Sequence, residues 1–211
     1  MKLYTYFRSS AAFRVRIALN IKNIAYEPVF VHLAHGAHLS DEYRAANPQG
    51  LIPALAVDGA VLSQSLAIID YLEETHPAPA LLPGDPLARA RVRAMALAIA
   101  CDIHPLNNLR VLKYLHSTLE HDQKTIDAWY RHWIVAGFTA LEAWAARHGG
   151  AGHCFGETVT VADVCLVPQM WNARRFKTDL SPFPTLERID AHLQSLPAFA
   201  AAAPENQPDF A

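Results

Sequence analysis

The chain has 211 residues, of which 52% are hydrophobic and 18% charged, and its formal net charge is −2. This composition excludes a disordered chain and lacks the basic excess of a nucleic-acid-binding protein. No apolar stretch approaches the ~20 residues of a transmembrane helix, and arginines interrupt the first residues where a signal peptide would be apolar. We therefore expect a cytoplasmic protein of one large or two small domains that binds neither nucleic acid nor membrane.

Cysteine and histidine patterns argue against a metal site. The three cysteines form no CxxC pair, so they predict neither a disulfide framework nor a thiolate zinc site. His32, His35 and His38 are spaced by three, but their segment is predicted to leave a strand for a loop, where this spacing does not gather side chains. We expect no bound metal.

Strand and helix patterns alternate over residues 1–80. Short β-prone segments are followed by stretches whose apolar residues recur with the helical period, and Asp58-Gly59 is typical of a two-residue hairpin turn. The predicted elements are strands at 2–7, 27–31, 54–57 and 60–62 and helices at 11–22, 40–46 and 64–75. Their order indicates a small α/β domain.

A proline-rich break separates this domain from the rest of the chain. Residues 76–87 contain four prolines and a glycine, which no continuous helix tolerates, and we place a linker at 81–86. Thr160 and Asp163 have the spacing of a capping box. The helices predicted beyond the linker lie at 87–118, 125–148, 161–173 and 184–194. Residues 87–211 are therefore predicted to form an all-α domain.

Three places in the first half are candidate ligand sites. Arg8-Ser9-Ser10 and Gln64-Ser65 stand at predicted helix starts, where free N–H groups and the helix dipole favour an anion. The alternative at both places is that the side chains only cap their helices. Pro53 is a candidate cis proline that would turn the N–H and C=O of Ile52 toward an extended peptide, or it is an ordinary proline at a strand start.

The second half has two candidate sites. Pro105 interrupts the predicted helix at 87–118, and polar residues surround it, namely His104, Asn107, Asn108 and Arg110. Arg174 and Arg175 are adjacent and directly follow the helix predicted at 161–173. Such pairs usually face water, but one of them is also suited to bind a substrate carboxylate in bidentate fashion.

Together these segments resemble the glutathione transferase family, and within it the zeta class of maleylacetoacetate and maleylpyruvate isomerases. The most specific element is the run Ser-Ser-x-x-x-Arg-Val-Arg-Ile-Ala-Leu at residues 9–19, and the resemblance covers nearly the whole chain. It also rests on residues 47–48, 52–55, 64–68, 105–109, 161–163 and 172–177. The fold it implies is an N-terminal thioredoxin-like domain followed by a C-terminal helical-bundle domain that would bind the substrate.

The resemblance implies glutathione as cofactor. Its cysteine backbone would pair with Ile52, its γ-glutamyl carboxylate would lie at Gln64 and Ser65, and its glycine carboxylate would reach His38. Its sulfur would face the two hydroxyls at the first helix start, which would lower the pKa of the thiol. Those hydroxyls belong to Ser9 and Ser10.

The reaction implied is the cis–trans isomerisation of a conjugated diacid by thiolate addition, bond rotation and elimination. The dianion needs cations, for which the expected residues are Arg8 and Arg175, with Arg110 third. The enolate oxygen and the cofactor need hydrogen-bond donors, for which the expected residues are His104, Asn108 and Ser10.

One departure from the class pattern concerns Ala11, which stands where the class has a cysteine. The lost cysteine, together with Arg110 and Arg174, favours a compact diacid, so we expect maleylpyruvate of gentisate breakdown rather than maleylacetoacetate of homogentisate breakdown. A general glutathione transferase or dehalogenase and a non-catalytic glutathione binder remain as alternatives. The family further implies a homodimer formed through the long helices after the linker.

Overall fold

A computed structural model describes residues 1–210. The chain forms two compact units. The first comprises Met1–Ala80 together with the chain from Ser195 onward, and the second comprises Leu81–Gln194. No helix in residues 1–210 combines the length and the apolar character that crossing a bilayer requires.

The first unit is built on a four-stranded mixed sheet. Its elements are β1 (Lys2–Thr5), α1 (Ser10–Ile21), β2 (Glu27–Phe30), α2 (Asp41–Ala46), β3 (Ala54–Val57), β4 (Ala60–Ser63) and α3 (Ser65–Thr75). The strand order is β2-β1-β3-β4, with β1 parallel to β2 and antiparallel to β3. The hairpin predicted at Asp58-Gly59 joins β3 to β4, where both residues have positive φ. The predicted order of elements is thereby confirmed.

Helix α1 is buried along almost its whole length, including two arginines. Arg14 and Arg16 are each 1% exposed. A C-terminal helix, α9 (Pro197–Ala202), packs against α1, because Arg16 Nε donates to the carbonyl of Ala202 and Asn20 Nδ2 donates to that of Ala198. The last residues therefore belong with the first unit, although the sequence assigned them to the helical domain that was expected to end at 211.

The second unit is all helical, as the sequence predicts. Its main helices are α4 (Pro86–Leu97), α5 (Leu109–Ser117), α6 (Gln123–His148), α7 (Val161–Arg175) and α8 (Pro184–Gln194). The single helix predicted over 87–118 is wrong. The chain instead widens into a π-helix at Ala98–Ile103, turns at 104–108 and restarts as α5, since Pro105 lacks the N–H that a continuous helix requires.

Helix α7 forms the centre of the second unit, and its first turn contains the predicted capping box. Asp163 Oδ2 accepts from the N–H of Thr160 at 2.7 Å and from its hydroxyl at 2.9 Å. Asp163 Oδ1 accepts from the N–H of Cys154 at 2.7 Å. The carboxylate therefore joins the helix start to the preceding loop, while burial raises the pKa of Asp163.

Candidate active site

The start of α1 is capped by Ser9, whose Oγ accepts from the N–H of Ala12 at 3.2 Å. The helix-capping role expected as the alternative for Ser9 is therefore present. A serine hydroxyl that accepts one hydrogen bond keeps its own proton to donate, so the cap does not prevent Ser9 from donating to a ligand. Ser10 is the first residue of the helix and is buried.

The segment before Ser9 is fixed from inside the unit. Arg16 Nη1 donates to Thr5 Oγ1 and to the carbonyl of Tyr6, and Nη2 donates to the carbonyl of Phe7, at 3.1–3.3 Å. Burial lowers the pKa of Arg16 to about 10, so it remains charged at neutral pH. Arg8 is exposed, and its guanidinium carbon lies 5.8 Å and 5.5 Å from the ring centroids of Tyr6 and Phe7.

The peptide bond between Ile52 and Pro53 is cis. Within residues 1–210, neither the N–H nor the C=O of Ile52 takes part in a hydrogen bond, whereas the neighbouring carbonyl of Leu51 accepts from Tyr43 Oη and Asn47 Nδ2. The Ile52 side chain packs in a buried cluster with Tyr6, Phe7, Val31 and Tyr43. The side chain therefore anchors a backbone segment whose own polar groups remain available to an extended peptide.

Helix α3 begins at Ser65 directly after Gln64, a non-glycine residue with φ of 69°. Its first intrahelical bond runs from the N–H of Ile68 to the carbonyl of Gln64, so the preceding N–H groups lie outside the helical ladder. The buried Arg14 Nη1 donates to Ser65 Oγ at 3.2 Å. A helix start with a cation close behind it favours a carboxylate.

Two contacts bring the predicted cofactor residues of the first unit together. Gln64 Nε2 donates to Gln49 Oε1 at 3.1 Å, which connects the start of α3 to the loop before Ile52. Gly50 has φ of 59°, and a Cβ there would lie 3.0 Å from the carbonyl oxygen of His38. The turn that carries His38 therefore packs against the same loop, with His38 itself half-buried.

In the second unit, Arg175 lies over aromatic rings. Its guanidinium carbon is 4.8 Å from the ring centroid of Phe176 and 5.9 Å from that of Trp171. Phe176 in turn stacks on Tyr130, with centroids 3.5 Å apart and planes 9° from parallel. Burial raises the pKa of Tyr130, and the charge of Arg175 opposes this rise. The rings support the guanidinium without neutralising it.

The neighbouring Arg174 has a different role. Its Nη2 forms an ion pair at 2.5 Å with Oδ2 of Asp190, which is fully buried. Gln194 Nε2 donates to the same oxygen. Arg174 therefore contributes to the packing of α7 on α8, and Arg175 is the better candidate of the adjacent pair for binding a substrate carboxylate.

Of the candidate residues around Pro105, the structure brings Asn108 and Arg110 into contact and leaves His104 at the other end of the turn. Asn108 caps α5, with Oδ1 accepting from the N–H of Arg110 at 3.1 Å, and Arg110 is exposed in the first turn of that helix. His104 is the C-cap of the π-helix and the first residue of the turn. The expectation that His104 and Arg110 share one continuous helix is wrong, since the turn separates them.

Sequence reasoning missed the buried arginines of α1 and the aromatic support of Arg175. A signal for the former exists, because Arg14 and Arg16 interrupt an otherwise apolar helix with a spacing that leaves neither on a solvent face. An arginine buried in a helix that is apolar on all sides must have fixed hydrogen-bond partners. No comparable signal existed for Phe176 and Tyr130, which are 46 positions apart in sequence.

Comparison with known proteins gives consistent results over the whole chain. A family model described as glutathione S-transferase, N-terminal domain, matches residues 3–80. The chain is 54% identical over 210 residues to a probable maleylacetoacetate isomerase of Vibrio cholerae, covering 98% of this chain and 97% of the relative. It is 51% identical over 212 residues to a maleylpyruvate isomerase of a Ralstonia species, covering 100% of both.

Solved structures agree with these relatives. The holo structure of a maleylpyruvate isomerase, described as a bacterial zeta-class glutathione S-transferase, has a TM-score of 0.98 and 50% identity over 100% of both chains. A maleylacetoacetate isomerase of Anaeromyxobacter dehalogenans, with dicarboxyethyl glutathione and citrate in its active site, has a TM-score of 0.88 and 41% identity, covering 100% of this chain and 93% of that one. The predicted fold, a thioredoxin-like domain followed by a helical bundle, is confirmed.

Proposed function

Because this chain belongs to the zeta class of the glutathione S-transferase family, we propose that it is a glutathione-dependent cis–trans isomerase of a maleyl diacid. The preferred substrate is maleylpyruvate, which is converted to fumarylpyruvate in aromatic catabolism. The observation that carries the proposal is the unpaired backbone of Ile52 beside the uncapped start of α3. This arrangement fits a short extended peptide with a carboxylate at one end.

Glutathione lies extended along this edge of the first unit. Its cysteine residue pairs with the N–H and C=O of Ile52 as a short added strand. Its γ-glutamyl carboxylate binds at Gln64 and Ser65, supported by the contact from Arg14. Its glycine carboxylate reaches toward His38, which the packing at Gly50 holds beside the Ile52 loop.

The sulfur of glutathione faces Ser9 and Ser10. A thiol has a pKa of ~8.5 in model peptides, so most of it is protonated at neutral pH. A hydroxyl donor and the positive end of α1 stabilise the thiolate and lower that pKa. Ser9 suits this role, because its hydroxyl already accepts from Ala12 and has one proton left to donate.

The reaction then proceeds by reversible addition. The thiolate forms a C–S bond with a carbon of the cis double bond, and the π electrons move onto the carbonyl oxygen as an enolate. The former double bond is now single and rotates. The enolate electrons re-form the double bond in the trans arrangement, the C–S bond breaks, and the thiolate is returned unchanged. The dicarboxyethyl glutathione bound in the Anaeromyxobacter relative has two carboxylates attached through its dicarboxyethyl group. Thiolate addition to an unsaturated diacid would produce a group of this kind.

The substrate carries two carboxylates, so its site requires cations. Arg175 on its aromatic support and Arg8 above Tyr6 and Phe7 are the proposed ligands, with Arg110 third. Asn108, His104 or Ser10 donates to the enolate oxygen that develops during addition. A guanidinium binds a carboxylate through two parallel hydrogen bonds, which also fixes the orientation of the diacid.

Ala11 replaces the class cysteine, and it lies buried between Ser10 and Ala12 in the first turn of α1. The proposed mechanism uses glutathione as its nucleophile and therefore does not need a protein thiol at this position. We further propose that the enzyme works as a homodimer, as the family implies, and that it is cytoplasmic. Maleylacetoacetate is the alternative substrate, and conjugation or dehalogenation is the alternative chemistry.

The test is a spectrophotometric assay of freshly prepared maleylpyruvate and maleylacetoacetate, each with and without glutathione. We expect glutathione-dependent isomerisation of both, with the higher kcat/KM for maleylpyruvate. A higher kcat/KM for maleylacetoacetate would assign the enzyme to tyrosine breakdown. If neither substrate is turned over while glutathione still binds, the isomerase proposal fails and conjugation becomes the better account.

A further inference from the structure

The last residues of the chain contact the segment that leads into α1. Asp209 Oδ2 accepts from the backbone N–H of Phe7 at 2.9 Å, across 202 positions of sequence. The ring of Phe210 packs edge-on against that of Phe7, with centroids 5.3 Å apart. The chain end is thus bonded to a residue only two positions before Ser9.

Both backbone polar groups of Phe7 are fixed by charged side chains. Asp209 accepts from its N–H, and Arg16 donates to its carbonyl at 3.1 Å. The two side chains also attract each other, since the charge of Asp209 counters the lowering of the Arg16 pKa that burial causes. Hydrogen bonds to charged partners are the stronger kind, so this peptide group is held more firmly than a loop peptide normally is.

The restraint continues to the helix cap. The N–H of Ser9 donates to the carbonyl of Tyr6 at 3.0 Å, and Arg16 Nη1 donates to the same carbonyl at 3.3 Å. The position of the Ser9 hydroxyl therefore depends on a turn whose other end is held by Arg16 and Asp209. A hydroxyl that stabilises a thiolate must be placed accurately, because an error of ~1 Å in such a contact costs about 100-fold in rate.

We propose that Asp209 is a positioning residue of the active site, which acts through the Phe7 peptide group to set the Ser9 hydroxyl against the glutathione sulfur. The inference rests on the proposed function, because it assumes that the sulfur faces Ser9. It assigns a role in the reaction to the end of the chain, which sequence analysis placed in the helical domain.

The experiment compares Asp209→Ala and Asp209→Asn with Asp58→Asn, a matched control that removes one negative charge from an exposed turn of the same unit. The pKa of bound glutathione is measured from the ultraviolet absorbance of its thiolate, and binding is measured with S-methylglutathione, which has no thiol to ionise. We expect Asp209→Ala to raise the thiol pKa and lower kcat at neutral pH by roughly 10-fold. S-methylglutathione affinity should change less than about twofold, because its backbone contacts at Ile52 do not involve Asp209.

Asp209→Asn should fall between Asp209→Ala and the parent, because an amide oxygen still accepts from Phe7 N–H but carries no charge. If Asp209→Ala does not fold, the thiol pKa and kcat of Asp209→Asn decide the test. Phe210→Ala, which removes the ring contact and leaves the carboxylate, should keep the parental thiol pKa. An unchanged thiol pKa in both Asp209 variants would overturn the proposal, as would equal losses of kcat and S-methylglutathione affinity.

Amide hydrogen exchange separates this inference from the proposed function. Asp209→Asn should speed exchange in residues 6–10 of the protein without ligand, and Asp58→Asn should not. If the parent protein neither binds glutathione nor isomerises a diacid, the proposed function fails, while faster exchange still shows that Asp209 restrains the loop. If exchange in residues 6–10 is unchanged, the positioning role fails whatever the protein catalyses.

Discussion

The first unit offers a ligand mainly backbone groups, at Ile52 and at the starts of α1 and α3, whereas the second offers the guanidinium of Arg175 on stacked aromatic rings. Backbone groups at a helix start recognise any carboxylate or thiolate of suitable shape. A supported guanidinium selects a particular partner through its geometry. In the proposed function, the cofactor is therefore recognised mainly by backbone groups and helix starts, whereas the substrate is recognised by guanidinium groups, of which Arg175 has the aromatic support.

The largest expected effect separates the two units directly. We expect Arg175→Ala to lower kcat/KM for the diacid about 100-fold, because losing a charged hydrogen-bonded partner costs ~2–5 kcal/mol. Glutathione affinity should stay within about twofold, since the contacts proposed for its peptide backbone and γ-glutamyl carboxylate lie in the first unit. Steady-state kinetics with titration of S-methylglutathione measures both quantities.

Arg147→Ala is the matched control for this variant, since it removes the same charge from an exposed position on α6 of the same unit. Its kcat/KM should change less than about threefold, as expected for a remote surface charge. Equal losses of kcat/KM in the two variants would show that Arg175 has no special role in binding the diacid. The proposed difference between the two units would then be wrong.

A second variant tests the thiolate part of the first unit. Ser9→Ala should lower kcat about 10-fold to 100-fold and raise the pKa of bound glutathione, because one donor to the developing charge is lost. It should also lower the free energy of unfolding by ~1 kcal/mol through loss of the helix cap. Thiolate absorbance and chemical denaturation measure the two effects separately.

Asp85→Ala provides the control for the cap. Asp85 caps α4 through its contact with the N–H of Ala88, so its loss should destabilise the protein by a similar ~1 kcal/mol. Asp85→Ala should leave the thiol pKa of bound glutathione unchanged. If the pKa of glutathione bound to Ser9→Ala equals its pKa in the parent, Ser9 is only a helix cap and other groups stabilise the thiolate.

A third set of variants tests whether Arg14 acts on the γ-glutamyl carboxylate through Ser65. Ser65→Ala and Arg14→Met should each weaken glutathione binding about 10-fold, and the double variant should be little worse than either one, because the two groups form one contact. Arg14→Lys should retain part of the affinity. Calorimetric titration gives the coupling between the two positions.

The dipeptide Cys-Gly is the control ligand for this set, since it lacks the γ-glutamyl group. Its affinity should be the same in all these variants and in the parent. If Cys-Gly binding weakens as much as glutathione binding, Arg14 supports the fold of the first unit rather than one subsite.

The smallest effect concerns stability in the second unit. Burial raises the pKa of Asp190 above its usual value, although Arg174 opposes this rise. The folded state therefore binds a proton more tightly than the unfolded state, and stability is lost as the pH rises from about 4 through the raised pKa. Asp190→Asn should lack this component of the pH dependence. If the free energy of unfolding depends on pH in the same way in the parent and in Asp190→Asn above pH ~4, Asp190 does not titrate as described.

The elements of the first unit could be predicted because local chemistry determines them. The Asp58-Gly59 turn, the serine caps and the apolar period of α1 are all properties of neighbouring residues. The same holds for the capping box of α7, which needs only Thr160 and Asp163. Candidate site residues at such boundaries, which would use backbone groups, could therefore be proposed from the sequence.

What escaped prediction depends on contacts between distant residues. The end of the chain packs on α1 because Arg16 and Asn20 donate to carbonyls of residues about 180 positions away. The break at Pro105 is stabilised by bonds from α6, where Trp129 Nε1 donates to the carbonyl of Leu106 and Asn107 Nδ2 donates to that of Tyr130. Periodicity within one segment contains no information about such partners.

In the proposed reaction glutathione is a catalyst and is not consumed. The direct measurement is isomerisation of excess maleylpyruvate with a small fixed amount of glutathione, followed by nuclear magnetic resonance of substrate, product and tripeptide. We expect complete conversion to fumarylpyruvate, with all glutathione recovered as free thiol. Conversion that stops after one equivalent, with glutathione left as a stable thioether, would contradict it and assign the protein to conjugation.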